Sequence, residues 1–405
     1  MSGPRIALVT PILPVPHDLA RGRYIHETAR ALSQLATVRV MFPQVRYPRL
    51  PGLAPRSFLE GTVEAGYRLP GIDLEAYSYP AIPGLSRAGN GITGGHALLP
   101  RLRAFAPDLV LAYWVYPDGY AALRAARRLG VPCIVGARGS DIHVRSGLNR
   151  WLTRRTLAAA DAVLTVSQAM RRAAIADYGV DPGKVRAIVN GVDTAVFHPR
   201  GRGAMRARLG IDRDARLVAY VGRLVESKGM HELLAAFAAI AGRDPRAMLA
   251  LVGDGVMRAQ LAALVAARGL ADRVWMTGGV EPAEVAEWIG AADVLTLPSW
   301  SEGYPNVVVE ALACGCPAVV SDVGGAREIV GEGSGILVPP RDAAALEQAL
   351  EQALARDWDR AAMARAMARG WDAVAADTLD ACQAVLRVHG RPSALAVSAG
   401  GIDAP

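Results

Sequence analysis

Short runs of aliphatic and β-branched residues alternate along the chain with Ala- and Arg-rich stretches of helical periodicity. The first six runs occupy residues 6–10, 37–42, 109–112, 133–136, 162–166 and 185–188. A second set occupies 217–221, 248–252, 274–277, 294–297, 318–321 and 335–338. Strand-like runs separated by helical segments mark βαβ units, in which each helix carries the chain back to begin the next parallel strand. Two such sets predict an α/β fold with two doubly wound domains. Between them, AIVNGVDTAVFHPRGRGAMR carries Asn-Gly, His-Pro and several glycines, which mark turns and a linker near 191–203. The expected division is a first domain over 1–195, a second over 196–370, a last amphipathic helix within 371–390, and a disordered Ser/Ala/Gly-rich tail over 391–405. Residues 43–100 are rich in Pro, Gly and Tyr and give no clean period, so they read as a long excursion with short elements over the first domain's surface. No internal repeat at a fixed period is visible.

Composition narrows the class. With 405 residues, 52% of them hydrophobic, the chain supplies two cores, which excludes a peptide hormone, a disordered tail or a lone binding module. The formal charge of +7 is unevenly spread: residues 1–200 hold 25 Lys+Arg against 13 Asp+Glu, residues 201–405 hold 20 against 25. A basic first half suits an anionic partner, phosphate or an acidic membrane surface. Four cysteines form no disulfide framework and no metal-ligand spacing, which points to a reducing compartment. The opening MSGPRIALVTPILPVP reads as a first strand rather than a signal peptide, and no window of about 18 apolar residues offers a membrane span. The expected location is cytoplasmic, with peripheral contact on the inner face of the membrane left open.

The densest chemistry lies in LPSWSEGYPNVVVEALACGCPAVVSDVGGAREIV, residues 297–330. A strand ends at Pro298, a polar loop holds Glu302 and Gly303, and a helical run begins at Pro305 with Glu310 further along it. Both carboxylates thus sit at a strand's carboxyl end, where open α/β sheets bind ligands. Backbone N–H groups at the helix start, around Asn306 and Val307, can bind an anion, and a following Glu can accept two bonds from a ribose diol. In AYVGRLVESKGMHELLAAF, residues 219–237, Gly222, Arg223 and Lys228 stand between a strand and a helix, where cations can neutralise a diphosphate leaving group. Only two of the 45 basic residues are lysines, Lys184 and Lys228, so a chain that otherwise writes Arg keeps a compact ammonium here. Gly253, Asp254 and Gly255 follow another strand, where the backbone can approach a ligand closely.

These segments resemble the retaining, GT-B-fold glycosyltransferases of the large family numbered four, whose Glu-x7-Glu motif has the same flanks: PSxxEGxPNVVxEALAxGxPVV, then VGGxxEI. The resemblance implies two Rossmann-like domains facing a cleft, a final helix returning to the first domain, and sugar transfer from a nucleoside diphosphate sugar to an acceptor hydroxyl. By resemblance Glu302 faces the donor sugar beside the reacting carbon and Glu310 holds the ribose. Gly303, Tyr304, Pro305, Asn306 and Val307 form the loop along sugar and diphosphate. GRLxxxKG assigns Gly222, Arg223 and Lys228 to the diphosphate, Gly253 and Asp254 lie near the base, and Gly278 falls in the segment whose backbone bonds the base edge. Glu302, Arg223 and Lys228 are the catalytic set. The chemistry implied is front-face displacement, in which the leaving diphosphate takes the acceptor's proton. No Asp-x-Asp motif stands at the donor site, so neither a cofactor nor an obligatory metal is expected.

The first half matches more loosely. Arg21-Gly22-Arg23 stands where the family often has Gly-Gly; Gly22 can present N–H groups to a phosphate, with His26 in the first turns of the following helix. In GARGSDIHV, residues 136–144, Arg138 replaces the His of His-Gly-Ser-Asp, a variant similar to a subgroup associated with bacterial cell-surface polysaccharides such as teichuronic acid. Arg138, Asp141, Arg21 and Arg23 are the acceptor-side candidates. Asp141 either orients its loop or binds acceptor, and Ser140 or Asp141 can be an N-cap. The motif NGVDxxxFxP, beginning at Asn190, is a hinge. The expected partners are a nucleotide-sugar donor, a glycan acceptor that can be lipid-linked, and an anionic membrane surface. A nicotinamide dehydrogenase lacks its G-x-G-x-x-G turn here, and no nucleic-acid module is recognisable. A nucleotide-sugar epimerase and a non-catalytic sugar-nucleotide-binding protein remain as alternatives.

Overall fold

The computed structural model describes residues 3–16, 18–19, 21–47, 63–64, 66–82, 86–143 and 147–390, apart from the side chains of Ser140 and His143. The expected disordered tail, 391–405, lies outside the described residues. The chain forms two compact units: Met1–Asn190 together with Trp371–Pro405, and Gly191–Gly370. The division falls ahead of the 195/196 boundary suggested by the turn residues. Val192 and Phe197 are buried in the second unit's core, and the Val192 N–H donates to Arg369 O at 2.9 Å.

The first unit is built on a parallel sheet of β1 (Arg5–Val9), β2 (Thr37–Arg46), β3 (Asp73–Pro80), β4 (Leu109–Tyr113), β5 (Cys133–Gly136), β6 (Ala162–Thr165) and β7 (Val185–Ala187) in the order β3-β2-β1-β4-β5-β6-β7. β4 and β5 are buried at every position, as expected for central strands covered by helices on both faces. Each Val, Leu or Ile removed from water there contributes about 1.5–3 kcal/mol. The Arg23–Leu32 helix turns Ile25, Ala29 and Leu32 inward. Against it lies the Trp371–Val388 helix, which buries Val374, Thr378, Ala381 and Val385 at helical spacing and so belongs to the first unit.

Of 43–100, residues 48–62, 65 and 83–85 lie outside the described residues; the described remainder departs from the expected surface excursion. β2 continues to Arg46, and β3 pairs parallel with it from Arg39↔Asp73 to Arg46↔Pro80, closing the sheet edge. Its sequence, DLEAYSYP, buries Tyr77 and Tyr79 on one face and Leu74 on the other. The Asn90–Phe105 helix buries Leu98, Leu102 and Phe105, and its other buried face is glycine: Gly91, Gly94 and Gly95, packed against the Tyr120–Leu129 helix. A helix whose contact face lacks side chains, and which carries Pro100 inside, gives no apolar period.

The second unit holds β8 (Arg216–Val221), β9 (Ala247–Val252), β10 (Val274–Gly278), β11 (Val294–Leu297), β12 (Ala318–Ser321) and β13 (Gly335–Val338), all parallel, in the order β10-β9-β8-β11-β12-β13. The order reverses between β8 and β11, which pair directly, Val218 with Val294. The connections leaving these two strands diverge to opposite faces, opening a crevice at their carboxyl ends.

Candidate functional site

The two most distinctive motifs of the sequence are the loops at that crevice. After β8 the chain passes Gly222 and Arg223, makes a short turn at Glu226–Lys228 and enters the Met230–Arg243 helix. After β11 it runs through Glu302 to Pro305, the N-cap of the Asn306–Ala313 helix. The two loops are fastened together. The Trp300 N–H donates to Ser227 O at 2.9 Å, the Trp300 indole N–H donates to Glu232 Oε1 at 3.0 Å, and the Arg341 guanidinium stacks on the indole at 4.2 Å. Lys228 is thereby held against Glu302, with Nζ donating to Oε1 at 2.5 Å and side-chain exposures of 19% and 13%. Beneath them the Tyr220 hydroxyl donates to Arg223 O at 2.8 Å. Burial raises that phenol's pKa, the Glu302 charge raises it further, and Arg223 opposes both. The Arg223 side chain is exposed and has no hydrogen bond or ion pair among the described residues.

Two glycines are required by close approach. Gly253, at φ 137°, lies so near Gly222 O that a Cβ would overlap it, which lets the loops after β8 and β9 touch. The Leu224 N–H donates to Asp254 O at 2.8 Å and the Gly253 N–H to Gly278 O at 2.9 Å, so Gly222, Gly253, Asp254 and Gly278 form one ledge. Gly324, at φ 55°, has the Glu302 backbone over its missing side chain, and the next N–H, of Gly325, donates to Gly303 O at 3.1 Å. The loop after β12 thus fixes the Glu302 loop from its other side.

Asn306 and Val307 are half-buried in the first turn of their helix, which contains no acidic residue, and Glu310 is half-buried one turn further on. Tyr304, on the same loop, has its hydroxyl pKa pushed up to about 12 by burial and the Glu328 charge, with Arg369 opposing. The helix start at Asn306 and the cations Arg223 and Lys228 lie on the loops that leave β11 and β8 at this crevice, and groups of these kinds suit a phosphate-bearing ligand. The carboxylates of Glu302 and Glu310 can accept from hydroxyls. Trp300, Glu232 and Gly324 were not singled out by sequence; of these only Gly324 carried a signal, in the VGG that follows the motif.

In the first unit the acceptor-side candidates are largely engaged within the fold. The Arg21 guanidinium donates to Leu13 O at 3.0 Å and Pro11 O at 2.8 Å, tying down the loop after β1. Gly22, at φ 63°, is the N-cap of the Arg23–Leu32 helix, Arg23 is half-buried in its first turn, and His26 Nε2 lies 2.9 Å from Pro70 O. Arg138 stacks 3.7 Å from the Tyr113 ring and donates to Asn190 Oδ1 at 3.1 Å. Beside it a small pocket is lined by Thr165, Ile188, Val374 and Thr378, the last two from the C-terminal helix. Asp141 is fully buried and accepts from the N–H groups of Arg138, Gly139 and Val115 at 2.9, 2.8 and 3.3 Å. Burial raises its pKa and those N–H groups oppose the rise. These bonds order the turn after β5. The Ser140 side chain, the other candidate cap, lies outside the described residues. Among the described residues no cluster of His, Cys, Asp and Glu could hold a metal ion, and no helix is long and apolar enough to cross a membrane.

Residues 201–370 match the family model described as glycosyl transferases group 1, and residues 22–196 the one described as glycosyltransferase family 4. The chain is 28% identical over 356 residues to the putative teichuronic acid biosynthesis glycosyltransferase TuaC of Bacillus subtilis, covering 85% of this chain and 88% of that protein. It is 31% identical over 311 residues to a D-inositol 3-phosphate glycosyltransferase of Streptomyces avermitilis, covering 70% and 67%. Among solved structures, Anabaena HepE in complex with UDP and glucose superposes with a TM-score of 0.64 at 21% identity, over 95% of this chain and 98% of that one.

Proposed function

The chain belongs to the group 1 glycosyltransferases, with their two-domain GT-B fold, and we propose that it moves a sugar from a nucleoside diphosphate sugar to an acceptor hydroxyl with retention of configuration, in the assembly of a cell-surface glycan. The observation that carries this reading is the Lys228–Glu302 pair, which sets a phosphate-binding cation and a hydroxyl-binding carboxylate side by side at the β8/β11 switch point. In this reading the diphosphate lies along Gly222, Arg223, Lys228 and the N–H groups at Asn306 and Val307. Glu302 accepts from the sugar hydroxyls, Glu310 from the ribose, and the ledge of Gly253, Asp254 and Gly278 receives the base. UDP, which HepE binds, is the first nucleotide to test.

Transfer breaks the bond from the anomeric carbon to the diphosphate oxygen while the acceptor oxygen attacks from the same face. The acceptor's proton passes to the departing phosphate oxygen. Arg223, Lys228 and the helix-start amides stabilise the charge that collects there, and because they are fixed before reaction they need little reorganisation. Glu302 borders the positive charge that develops on the sugar. With these cations facing the diphosphate, no divalent ion is required. The first unit receives the acceptor, which we take to be lipid-linked, its protein docked on an anionic membrane.

The test is a thermal-shift screen against UDP, GDP, ADP and their common sugars, followed by transfer in EDTA with the product's anomeric configuration read by NMR. A nucleotide at about 100 times its Kd adds about 2.7 kcal/mol to stability. Glu310→Ala should abolish that gain. Nucleotide binding without donor hydrolysis or transfer would favour an epimerase or a non-catalytic binder, and inversion would overturn the retaining mechanism.

A further inference from the structure

Between residues 120 and 160 the sequence holds eight arginines and a single carboxylate, Asp141. That carboxylate is buried and bound to backbone N–H groups, so it offers these arginines no surface partner. Arg124, Arg127, Arg128 and Arg155, with Tyr120 and Ala159, line an open groove between the Tyr120–Leu129 and Gly147–Ala159 helices. Arg127 donates to Ala159 O at 3.1 Å, Arg124 lies 5.7 Å from the Tyr120 ring, and Arg155 lies 4.7 Å from the Trp151 ring. None of the four forms an ion pair among the described residues. Other arginines of the chain do find carboxylates: Arg39 pairs with Asp73, Arg202 and Arg206 with Asp293, Arg216 with Asp244, and Arg243 with Glu347 and Glu351.

The same face carries exposed apolar side chains. Leu148 is 57% and Trp151 50% exposed, and with Arg155 they form a stripe at helical spacing. Both helices follow parallel strands, β4 and β5, and so run from the sheet's carboxyl edge toward its amino edge. Leu148 and Trp151 therefore lie toward the ligand edge, with the arginines beyond them. A nucleic acid would match the cations and can stack on Trp151 but leaves Leu148 without a role, and an acidic protein could use both kinds of side chain; with the lipid-linked acceptor read for this enzyme, the bilayer is the occupant we argue. Bilayer interfaces call for both: apolar side chains enter the acyl boundary while guanidinium groups meet lipid phosphates.

We propose that this two-helix face is the surface on which the protein lies on anionic phospholipid. It deepens the membrane reading above, and gives a lipid-linked acceptor a route along the bilayer to the carboxyl edge of the first sheet. The experiment is flotation of the full chain with phosphatidylcholine vesicles, with and without about 30 mol % phosphatidylglycerol, at low and high salt. The variants are Arg127→Gln/Arg128→Gln/Arg155→Gln, Trp151→Ala, and a charge-matched control on the second unit, Arg213→Gln/Arg268→Gln/Arg365→Gln. At about 5-fold per arginine, the first triple variant should lower partitioning on the order of 100-fold. Trp151→Ala should lower it further than any charge effect explains, and the control should bind nearly as the wild type does.

Equal losses in both triple variants would overturn the assignment of this face while leaving membrane association intact. Absence of salt-sensitive binding by the wild type would overturn membrane docking itself. Thermal midpoints and UDP binding, measured on every variant, separate a lost surface from a lost fold. Because flotation needs no donor, failure of the transferase reading would appear as missing transfer with lipid binding unchanged.

Discussion

Lys228 and Glu302 should affect nucleotide binding in opposite directions although both are needed for transfer. In the unliganded chain the ammonium is 2.5 Å from the Glu302 carboxylate, and both side chains are mostly covered. A diphosphate must therefore compete with Glu302 for Lys228. At an effective dielectric near 20, unit charges about 4 Å apart attract by about 4 kcal/mol, and solvation lost on pairing cancels most of it. A net coupling of about 1 kcal/mol is a reasonable scale for such a partly exposed pair, which corresponds to about 5-fold in affinity. Glu302→Gln frees the ammonium without changing side-chain size and should tighten UDP binding by about that factor. Lys228→Met removes the cation and should weaken UDP by 10-fold or more, at about 1.5–3 kcal/mol for a hydrogen bond to a charged group. In transfer both variants should lose about 100- to 1000-fold in kcat, the effect of deleting one preorganised electrostatic contact. Calorimetric titration with UDP, alongside release of UDP from a sugar donor, measures both quantities. If Glu302→Gln weakens UDP as much as Lys228→Met does, the carboxylate is not restraining the lysine and the competition described here is wrong.

Two further outcomes follow from geometry away from that pair. Gly324→Ala puts a methyl group into the Glu302 backbone at a φ of 55°, so it should destabilise the second unit by about 1–3 kcal/mol and depress transfer more than UDP affinity, as read by thermal melts and kinetics. Asp118, 5% exposed, has its pKa raised to about 7 by burial, with its own backbone N–H and Arg87 opposing. The folded chain thus holds a proton that the unfolded chain releases near the ordinary 3.8, so stability is fullest below that value and falls as pH rises toward 7. Asp118→Asn should melt like the wild type near pH 4 and above it at pH 8, by on the order of 4 kcal/mol at most; equal midpoints at pH 8 would show that the buried carboxylate carries no such penalty.

The second unit was legible in the sequence because its site is made by backbone near the motif residues themselves. Gly222, Gly253 and Gly278 lie next to their strand ends, and a glycine at such a position tells its own story: the chain must come close to something there. Lys228 announced itself by being one of only two lysines. What the sequence withheld was the fastening. Trp300 reaches Glu232, 68 residues away, and no local pattern marks a tryptophan whose indole will donate to a particular glutamate. The missing edge strand and glycine-faced helix of the first unit were lost for a related reason. Their inward positions are Tyr, Leu and Gly, which do not separate from the polar turn residues around them.

Side-chain fate in the first unit depends on partners that sequence cannot supply, and this constrains how the acceptor is recognised. Arg21, Arg138 and Asp141 all stand near the carboxyl edge of the first sheet, and their charges invite assignment to a ligand. In the fold, Arg21 is bonded to carbonyls of its own loop, Arg138 reaches from β5 to Asn190 at the boundary with the second unit, and Asp141 orders the turn after β5. Moving any of them onto a substrate would break buried or half-buried hydrogen bonds, each worth about 0.5–1.5 kcal/mol, or more where a charge is involved. An acceptor must repay that loss or find other groups. Arg138→Ala should therefore lower the thermal midpoint before it raises the KM for acceptor, because the guanidinium's stack on Tyr113 and its bond to Asn190 are lost whether or not substrate is present. A variant that keeps its midpoint and loses only acceptor affinity would return Arg138 to the role its place in the motif suggests.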